Sequence, residues 1–124
     1  MAKKVLVVED SSAMRSLISS TIEELKGFET TEAGNGFEAL KALPAQRFDL
    51  IITDINMPDI NGLEIIHFVK SNDAYKSIPL IIITTEQGEE DRKKGLALGA
   101  DEYITKPFDP EKLKETVRRV VKQA

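Results

Sequence analysis

The sequence contains no cysteine and no tryptophan, and only one of its 124 residues is a histidine. The lack of cysteine excludes disulfide bonds, thiolate metal sites and a cysteine nucleophile. No apolar run approaches the length that spans a bilayer, and the opening MAKK is followed by only the short run VLVV, too short for a signal peptide. We therefore expect a cytoplasmic protein with no membrane insertion.

Basic residues are fewer than acidic residues. The 17 Lys and Arg residues face 21 Asp and Glu residues, which gives a net charge of −4 and an isoelectric point near 5.1. This balance argues against nucleic acid or an anionic membrane as a direct partner. The length predicts one domain, residues 1–124, large enough to bury about two-thirds of the surface that the unfolded chain exposes.

Five short segments have the pattern of β-strands. Four are apolar on both faces, the last of them more weakly, as in a parallel sheet that is covered on both sides. A fifth alternates and is more polar, as an edge strand would be. In chain order the segments are VLVV (5–8), FETTEA (28–33), LII (50–52), LIII (80–83) and EYIT (102–105).

Helical patterns separate these strands. The first helix shows apolar residues at i, i+3, i+4 and i+7 spacing, and Gly27 is expected at its C-terminal cap. The second is expected to stop at Pro44, whereas the last should begin with Asp109 as its N-cap. The five segments are Met14–Leu25, 37–43, 62–71, 88–99 and the chain from Pro110 onward.

The fourth helical segment differs from the others. It is highly charged in its first half and holds Gly95 near its middle, at a cost of about 1 kcal/mol relative to alanine. Its apolar stripe is thin. We expect it to be the least firmly held helix.

The order of the elements is a strand followed by a helix, five times. This order predicts an α/β fold with a parallel sheet, right-handed crossovers and helices on both faces. Ligands of such open sheets bind outside the carboxyl ends of the strands. The functional residues should therefore follow the strands directly.

Polar residues stand at four of these strand ends. Three carboxylates together repel each other unless a cation is present, and the lack of clustered His or Cys indicates a hard, oxygen-preferring ion, best fitted by Mg²⁺. A lysine could hold a phosphate oxygen. The pattern predicts Mg²⁺-assisted phosphoryl transfer to a carboxylate, although each residue alone is more often a turn or cap residue. The residues are Glu9, Asp10, Asp54, Asn56, Thr84 and Lys106.

Four motifs carry a resemblance to a known family: VLVVED, DINMPDINGLE, ITTE and GADEYITKPF. With the spacing from Asp54 to Thr84 and Lys106, they make the chain resemble a response-regulator receiver domain from end to end. The stand-alone chemotaxis type is the most similar. The resemblance implies a flavodoxin-like, doubly wound (βα)₅ fold whose five-stranded parallel sheet has the order 2-1-3-4-5.

The resemblance also implies roles for the residues at the strand ends. Asp54 is the expected phosphoacceptor, and Lys106 is expected to pair with the phosphoryl oxygens. Asp10 and Asp54 are the expected direct Mg²⁺ ligands, together with the backbone carbonyl of Asn56. Glu9 is expected to act through water.

A switch is implied as well. Thr84 is expected to move toward the phosphoryl group while the ring of Tyr103 turns inward, and the bond between Lys106 and Pro107 is expected to be cis. The output surface would consist of the fourth helix, the fifth strand and the fifth helix.

Two residues depart from the family pattern. Glu9 replaces the more usual Asp, and its longer side chain is expected to alter the affinity for Mg²⁺. Thr85 stands where a small residue is common, so its branched side chain could narrow the approach to the phosphoacceptor. Asn56, Glu86 and Thr85 are the positions expected to tune the lifetime of the phosphoryl group.

The expected protein is a signalling phosphoacceptor that catalyses only its own phosphorylation and dephosphorylation. Its expected partners are a histidine kinase or phosphotransfer protein and a downstream protein target. Two alternatives stay open: a receiver cut from a larger regulator, and a binding module that works without phosphorylation.

Other interpretations explain less of the sequence. The stretch Gly34–Ala39 fits the dinucleotide-binding pattern G-x-G-x-x-A, but the chain is short for such a domain and the strand-end residues would have no role. An aspartyl phosphatase would need an acid two residues after Asp54, where Asn56 stands. A flavin carrier of similar fold is disfavoured because the chain has no Trp and only two Tyr.

Overall fold

The computed structural model describes residues 2–85 and 89–123. Within these residues, five strands alternate with five helices, and all strand pairs are parallel in the order β2-β1-β3-β4-β5. The predicted fold class and strand order are therefore confirmed. The elements are β1 (Lys3–Val8), α1 (Ser12–Glu23), β2 (Phe28–Ala33), α2 (Gly36–Ala45), β3 (Leu50–Thr53), α3 (Gly62–Ser71), β4 (Leu80–Thr85), α4 (Glu89–Leu98), β5 (Glu102–Lys106) and α5 (Pro110–Gln123).

Two apolar clusters cover the two faces of the sheet. Successive side chains of a strand point to opposite faces. Val7 and Ile52 therefore lie in the cluster that contains Ile18 of α1, whereas Leu6 and Ile51 lie in the cluster formed with α2 and α3. The central strands are buried on both sides, and β2 is the more polar edge strand, as predicted.

The end of α1 differs from the sequence-based expectation. The helix ends at Glu23 and its C-cap is Glu24, so Gly27 is not the cap. Leu25 already bonds to the carbonyl of Ile22, three residues back, at 2.9 Å, which tightens the last turn. Gly27 uses its positive φ of 85° for the turn that follows.

Pro44 does not stop α2 as predicted. The helix continues to Ala45 and keeps Pro44 inside its last turn. Proline removes one amide donor, but so close to the helix end few later bonds depend on it. The predicted cap of α5 is present, because the Asp109 carboxylate accepts the backbone N–H of Glu111 at 3.0 Å.

The fourth helix begins at Glu89 within the described residues, and Gly88, the predicted first residue, lies outside them. Gly99 lies beyond the helix with a φ of 120°. Gly95 is the one buried residue of the described helix. Of the helices described, none is both long and apolar enough to cross a membrane.

Candidate functional site

The carboxylate of Asp54 lies at the carboxyl edge of the sheet, directly after β3. Its backbone N–H donates to the carbonyl of Val8 at 3.1 Å, so the residue is held in line with the neighbouring strand β1. One carboxylate oxygen accepts the backbone N–H of Asn56 at 3.2 Å. The residue is only 5% exposed.

The start of α3 packs closely against the backbone of Asp54. A Cβ at Gly62 would overlap the Asp54 carbonyl oxygen, so glycine is required at this position.

Glu9 occupies the equivalent place after β1 and is 1% exposed. One of its carboxylate oxygens accepts the backbone N–H of Ser11 at 3.0 Å, and the other accepts Lys106 Nζ at 2.5 Å. Burial raises the pKa of Glu9 above its ordinary value, against the opposing hydrogen bonds from Lys106 and Ser11. Both carboxylate oxygens are therefore engaged by the protein itself.

Lys106 joins the two buried carboxylates. Its ammonium lies 2.5 Å from Glu9 and 2.8 Å from Asp54, and its side chain is 13% exposed. Burial alone would lower the pKa of Lys106, but the hydrogen bonds to Asp54 and Glu9 outweigh it and raise the pKa. Lys106 therefore stays a cation at neutral pH. The peptide bond from Lys106 to Pro107 is cis.

Asp10 completes an acidic cluster. Carboxylate oxygens of Glu9, Asp10 and Asp54 lie within 4.8 Å of one another, and Asp10 is exposed to solvent. One lysine cannot neutralise three carboxylates, so the cluster keeps a net negative charge. Oxygen ligands of this kind are those that hard divalent cations prefer. The residues therefore fit such a cation, with Asp10 as the accessible ligand.

Thr84 and Asn56 are joined across the same edge. The buried hydroxyl of Thr84, near the end of β4, accepts a hydrogen bond from the side-chain amide of Asn56 at 3.3 Å. Thr84, predicted to act in switching, and Asn56, predicted to tune the lifetime of the phosphoryl group, are therefore in contact. Glu86, the other proposed lifetime residue, lies outside the described residues.

Comparison with known proteins decides the family. The family model described as "Response regulator receiver domain" matches residues 5–118 of this sequence. The chain belongs to the response regulator receiver family.

Individual relatives agree with this assignment. The chain is 43% identical over 119 residues to the chemotaxis protein CheY1 of Helicobacter pylori, covering 95% of this chain and 96% of that protein. It is also 37% identical to the phosphate regulon transcriptional regulatory protein PhoB of Klebsiella pneumoniae, of which it covers 53%. The solved structure of the chemotaxis protein CheY4 of Vibrio cholerae has 40% identity and a TM-score of 0.89, covering 97% of this chain and 99% of that one.

Receiver domains are signalling modules of two-component systems, and phosphorylation-dependent switching is typical of them. This receiver is therefore a signalling protein and not a conventional enzyme. Members of the family interact with histidine kinases and with downstream targets, and they bind a divalent metal at an acidic pocket. In this receiver, Glu9, Asp10 and Asp54 form an acidic cluster at the carboxyl edge of the sheet.

Tyr103 of the receiver lies half-buried on β5. Its hydroxyl donates to the backbone carbonyl of Thr85 at 3.3 Å, and the side chain of Thr85 is exposed. The guanidinium of Arg92 lies 5.6 Å from the centre of the Tyr103 ring and is paired with Glu89 at 2.9 Å. Burial and the negative charge of Glu89 raise the pKa of Tyr103. The ring therefore has contacts with both β4 and α4.

The glycine-rich turn before α2 is not free to hold a phosphate in this receiver. The carboxylate of Asp59 accepts the backbone N–H groups of Gly36 and Phe37, both at 3.3 Å. Asn35 accepts the N–H of Glu38 at 2.9 Å. The anion-binding amides at the start of α2 are therefore already used, which excludes the dinucleotide interpretation for this conformation.

Sequence reasoning missed three residues around the site: Asp59, Arg92 and Arg15. Arg15 of α1 donates to the backbone carbonyl of Glu9 at 2.8 Å. Asp59 lies within the motif DINMPDINGLE, but nothing in the motif indicates its partners, and Arg92 is one of several charged residues of its helix. Their contacts appear only once the loops and helices are brought together at one edge of the sheet.

Proposed function

We propose that residues 1–124 form one receiver domain that accepts a phosphoryl group on Asp54 with the help of Mg²⁺. The donor is a phosphohistidine of a kinase or phosphotransfer protein, or a small molecule such as acetyl phosphate. The domain acts in the cytoplasm, in a pathway of the chemotaxis type. The observation that carries this proposal is the buried Asp54 carboxylate, held by Lys106 at 2.8 Å beside two further carboxylates.

The transfer is a displacement at phosphorus. An oxygen of Asp54 attacks, a new P–O bond forms, and the P–N bond of phosphohistidine or the P–O bond of acetyl phosphate breaks. The leaving imidazole or acetate keeps the electron pair of that bond. Bound Mg²⁺ would neutralise charge on the oxygens of the transferring group.

The residues of this chain orient the acceptor. The backbone N–H of Asn56 and the ammonium of Lys106 fix the two oxygens of Asp54 before the donor arrives. After the transfer, the ammonium of Lys106 pairs with the phosphoryl oxygens in place of the Asp54 carboxylate. Asp10 and Asp54 would hold the metal directly, with the backbone carbonyl of Asn56. Glu9, whose carboxylate accepts Ser11 and Lys106, would act through water, as the family resemblance implies.

The output is a change of the surface formed by α4, β5 and α5. The hydroxyl of Thr84 leaves Asn56 for the phosphoryl group, which opens space beside it. Tyr103 then turns toward that space and gives up its bond to the Thr85 carbonyl. A downstream protein binds the altered surface. The only reactions catalysed are the phosphorylation and dephosphorylation of Asp54.

The test is the mass of the intact protein after incubation with acetyl phosphate, with and without Mg²⁺. We expect the wild type to gain one phosphoryl group only with Mg²⁺. The Asp54→Asn variant, which keeps the size and a hydrogen-bonding side chain, should gain none. If neither acetyl phosphate nor a phosphorylated histidine kinase modified the wild type, the alternative of a phosphorylation-independent binding module would replace this proposal.

A further inference from the structure

Arg15 reaches from α1 back to the loop that carries two of the acidic residues. One of its terminal nitrogens donates to the backbone carbonyl of Glu9 at 2.8 Å, and its Nε donates to the carboxylate of Glu32 on β2 at 3.0 Å. The side chain is 21% exposed, so most of it is packed against the protein. The guanidinium therefore joins the helix, the edge strand and the end of β1.

The carbonyl that Arg15 holds belongs to the peptide unit between Glu9 and Asp10. The other groups of Glu9 are fixed too, since its N–H donates to the carbonyl of Ala33 at 3.1 Å and its carboxylate accepts Ser11 and Lys106. A peptide unit is planar, so fixing its oxygen also fixes the direction in which the chain enters Asp10.

Asp10 depends on this backbone support more than its neighbours do. In the part of the chain that the structure describes, the carboxylates of Glu9 and Asp54 accept hydrogen bonds from the protein, and that of Asp10 accepts none. Asp10 is also exposed. With no such bond to hold the carboxylate, the direction in which the Asp10 side chain leaves the main chain is set by its backbone.

We propose that Arg15 is a positioning residue for the Mg²⁺ site, acting through the Glu9–Asp10 peptide, with Glu32 holding its guanidinium. The inference rests on the proposed function, because it concerns the affinity of the same acidic site. Supporting groups around metal ligands typically change metal affinity by about 10–100-fold when they are removed. Arg15 supports the backbone and not the ligand atom, so we expect the lower end of that range.

Charge alone predicts the opposite result. Arg15 is a cation near three carboxylates, and removing it would by Coulomb's law strengthen the attraction for Mg²⁺. A loss of affinity in an Arg15 variant therefore reports lost positioning. The direction of the change separates the two explanations.

The experiment measures the Mg²⁺ dissociation constant of the unphosphorylated protein by NMR titration, together with thermal unfolding. Arg15→Met keeps the length of the stem but loses the charge and the donors. Its matched control is Lys4→Met, which also removes one positive charge that is paired with a glutamate of β2. Lys4 lies 2.9 Å from Glu29, at the opposite end of the strands.

We expect Arg15→Met to weaken Mg²⁺ binding about tenfold and Lys4→Met to leave it unchanged. Arg15→Lys should recover only part of the affinity, because an ammonium lacks the planar fork that reaches two acceptors. Arg15→Lys also carries the test if Arg15→Met does not fold. A residue that only stabilised the fold would lower the unfolding temperature and leave the dissociation constant as in the wild type.

Equal or tighter Mg²⁺ binding in both folded Arg15 variants would overturn the inference while the proposed function stands. Asp10→Asn distinguishes the other failure. If the wild type bound no Mg²⁺, or if Asp10→Asn bound it as well as the wild type, the acidic site itself would be wrong and the role of Arg15 would fall with it.

Discussion

The side-chain amide of Asn56 donates a hydrogen bond to the buried hydroxyl of Thr84 at 3.3 Å. The bond links the loop after Asp54 to the end of β4. Because the hydroxyl oxygen is the acceptor, the hydroxyl keeps its own proton for an incoming phosphoryl oxygen. In the proposed switch, the Thr84 hydroxyl therefore starts from a position held by Asn56, two residues after Asp54.

Thr84→Ala should leave the switch incomplete. Moving a two-state equilibrium from 1:99 to 99:1 takes about 5.5 kcal/mol, and one charge-assisted hydrogen bond supplies about 1.5–3 kcal/mol. Thr84 is therefore one contributor beside Lys106 and the backbone amides. We expect NMR spectra of the phosphorylated variant to show both states at Tyr103, while Thr84→Ser, which keeps the hydroxyl, switches fully. A fully switched alanine variant would contradict this apportionment.

Lys106→Met should destabilise the protein when Mg²⁺ is absent. It leaves the carboxylates of Glu9 and Asp54, 1% and 6% exposed, without their cation. Removing one partner of a buried ion pair costs about 3–5 kcal/mol. In urea unfolding with a chelator, we expect the free energy of unfolding to fall by an amount near the lower end of this range. With saturating Mg²⁺ the decrease should be smaller.

The matched control for this prediction is Lys114→Met. Lys114 also pairs with two carboxylates, those of Glu24 at 2.5 Å and Glu111 at 3.1 Å, but these are 62% and 79% exposed. Water can solvate both after the substitution, so the cost should be much smaller and independent of Mg²⁺. If Lys106→Met and Lys114→Met lowered the free energy of unfolding equally, burial of the carboxylates would not be the cause of the destabilisation.

Asp59 should make stability depend on pH. Partial loss of hydration acts to raise the pKa of this exposed residue, but the backbone N–H groups of Ile60, Gly36 and Phe37 together lower it below the ordinary value. A carboxylate with a lowered folded-state pKa contributes stability above its unfolded pKa, near 4, and this contribution is lost as the pH falls through the folded pKa. In urea unfolding, wild type should therefore lose more stability below about pH 4 than Asp59→Asn does. Parallel pH profiles for the two proteins would contradict the prediction.

Gly95→Ala should destabilise α4 although alanine is the better helix former. A Cβ at Gly95 would overlap the Cδ1 atom of Ile82 on β4. Forcing extra volume into a packed core costs about 1–3 kcal/mol, more than the propensity gain of about 1 kcal/mol. The same substitution in an Ile82→Val background, which lacks that methyl group, should cost little or be favourable. If both backgrounds responded alike in chemical unfolding, the contact would not be the cause.

The sequence predicted the carboxyl ends of the strands to within two residues, because buried parallel strands produce apolar runs and the polar residue near the end of each run is visible. Asp54 and Lys106 could be selected on this basis. Helix ends were less predictable. Gly27 and Pro44 are strong local signals, yet the tightened last turn of α1 and the low cost of a proline near a helix end decided the actual limits.

Contacts between distant segments could not be predicted. Gly95 looked like a weakness of α4 in the sequence, and the structure shows that Ile82 leaves no room for a side chain. Arg92 looked like one charge among many, and it lies over Tyr103. Such contacts depend on which elements the sheet order makes neighbours, and the side-chain partners follow only from the packed structure.

Lys106 and Glu9 are 97 positions apart, and their ion pair closes the acidic site. A nascent chain that includes β1 and β3 but not yet β5 has the carboxylates of Glu9 and Asp54 without the ammonium of Lys106. A nascent chain therefore lacks the group that fixes Asp54, and the same holds for a proteolytic fragment that ends before β5. On the proposed function, such an incomplete chain should therefore be a poor acceptor of phosphoryl groups.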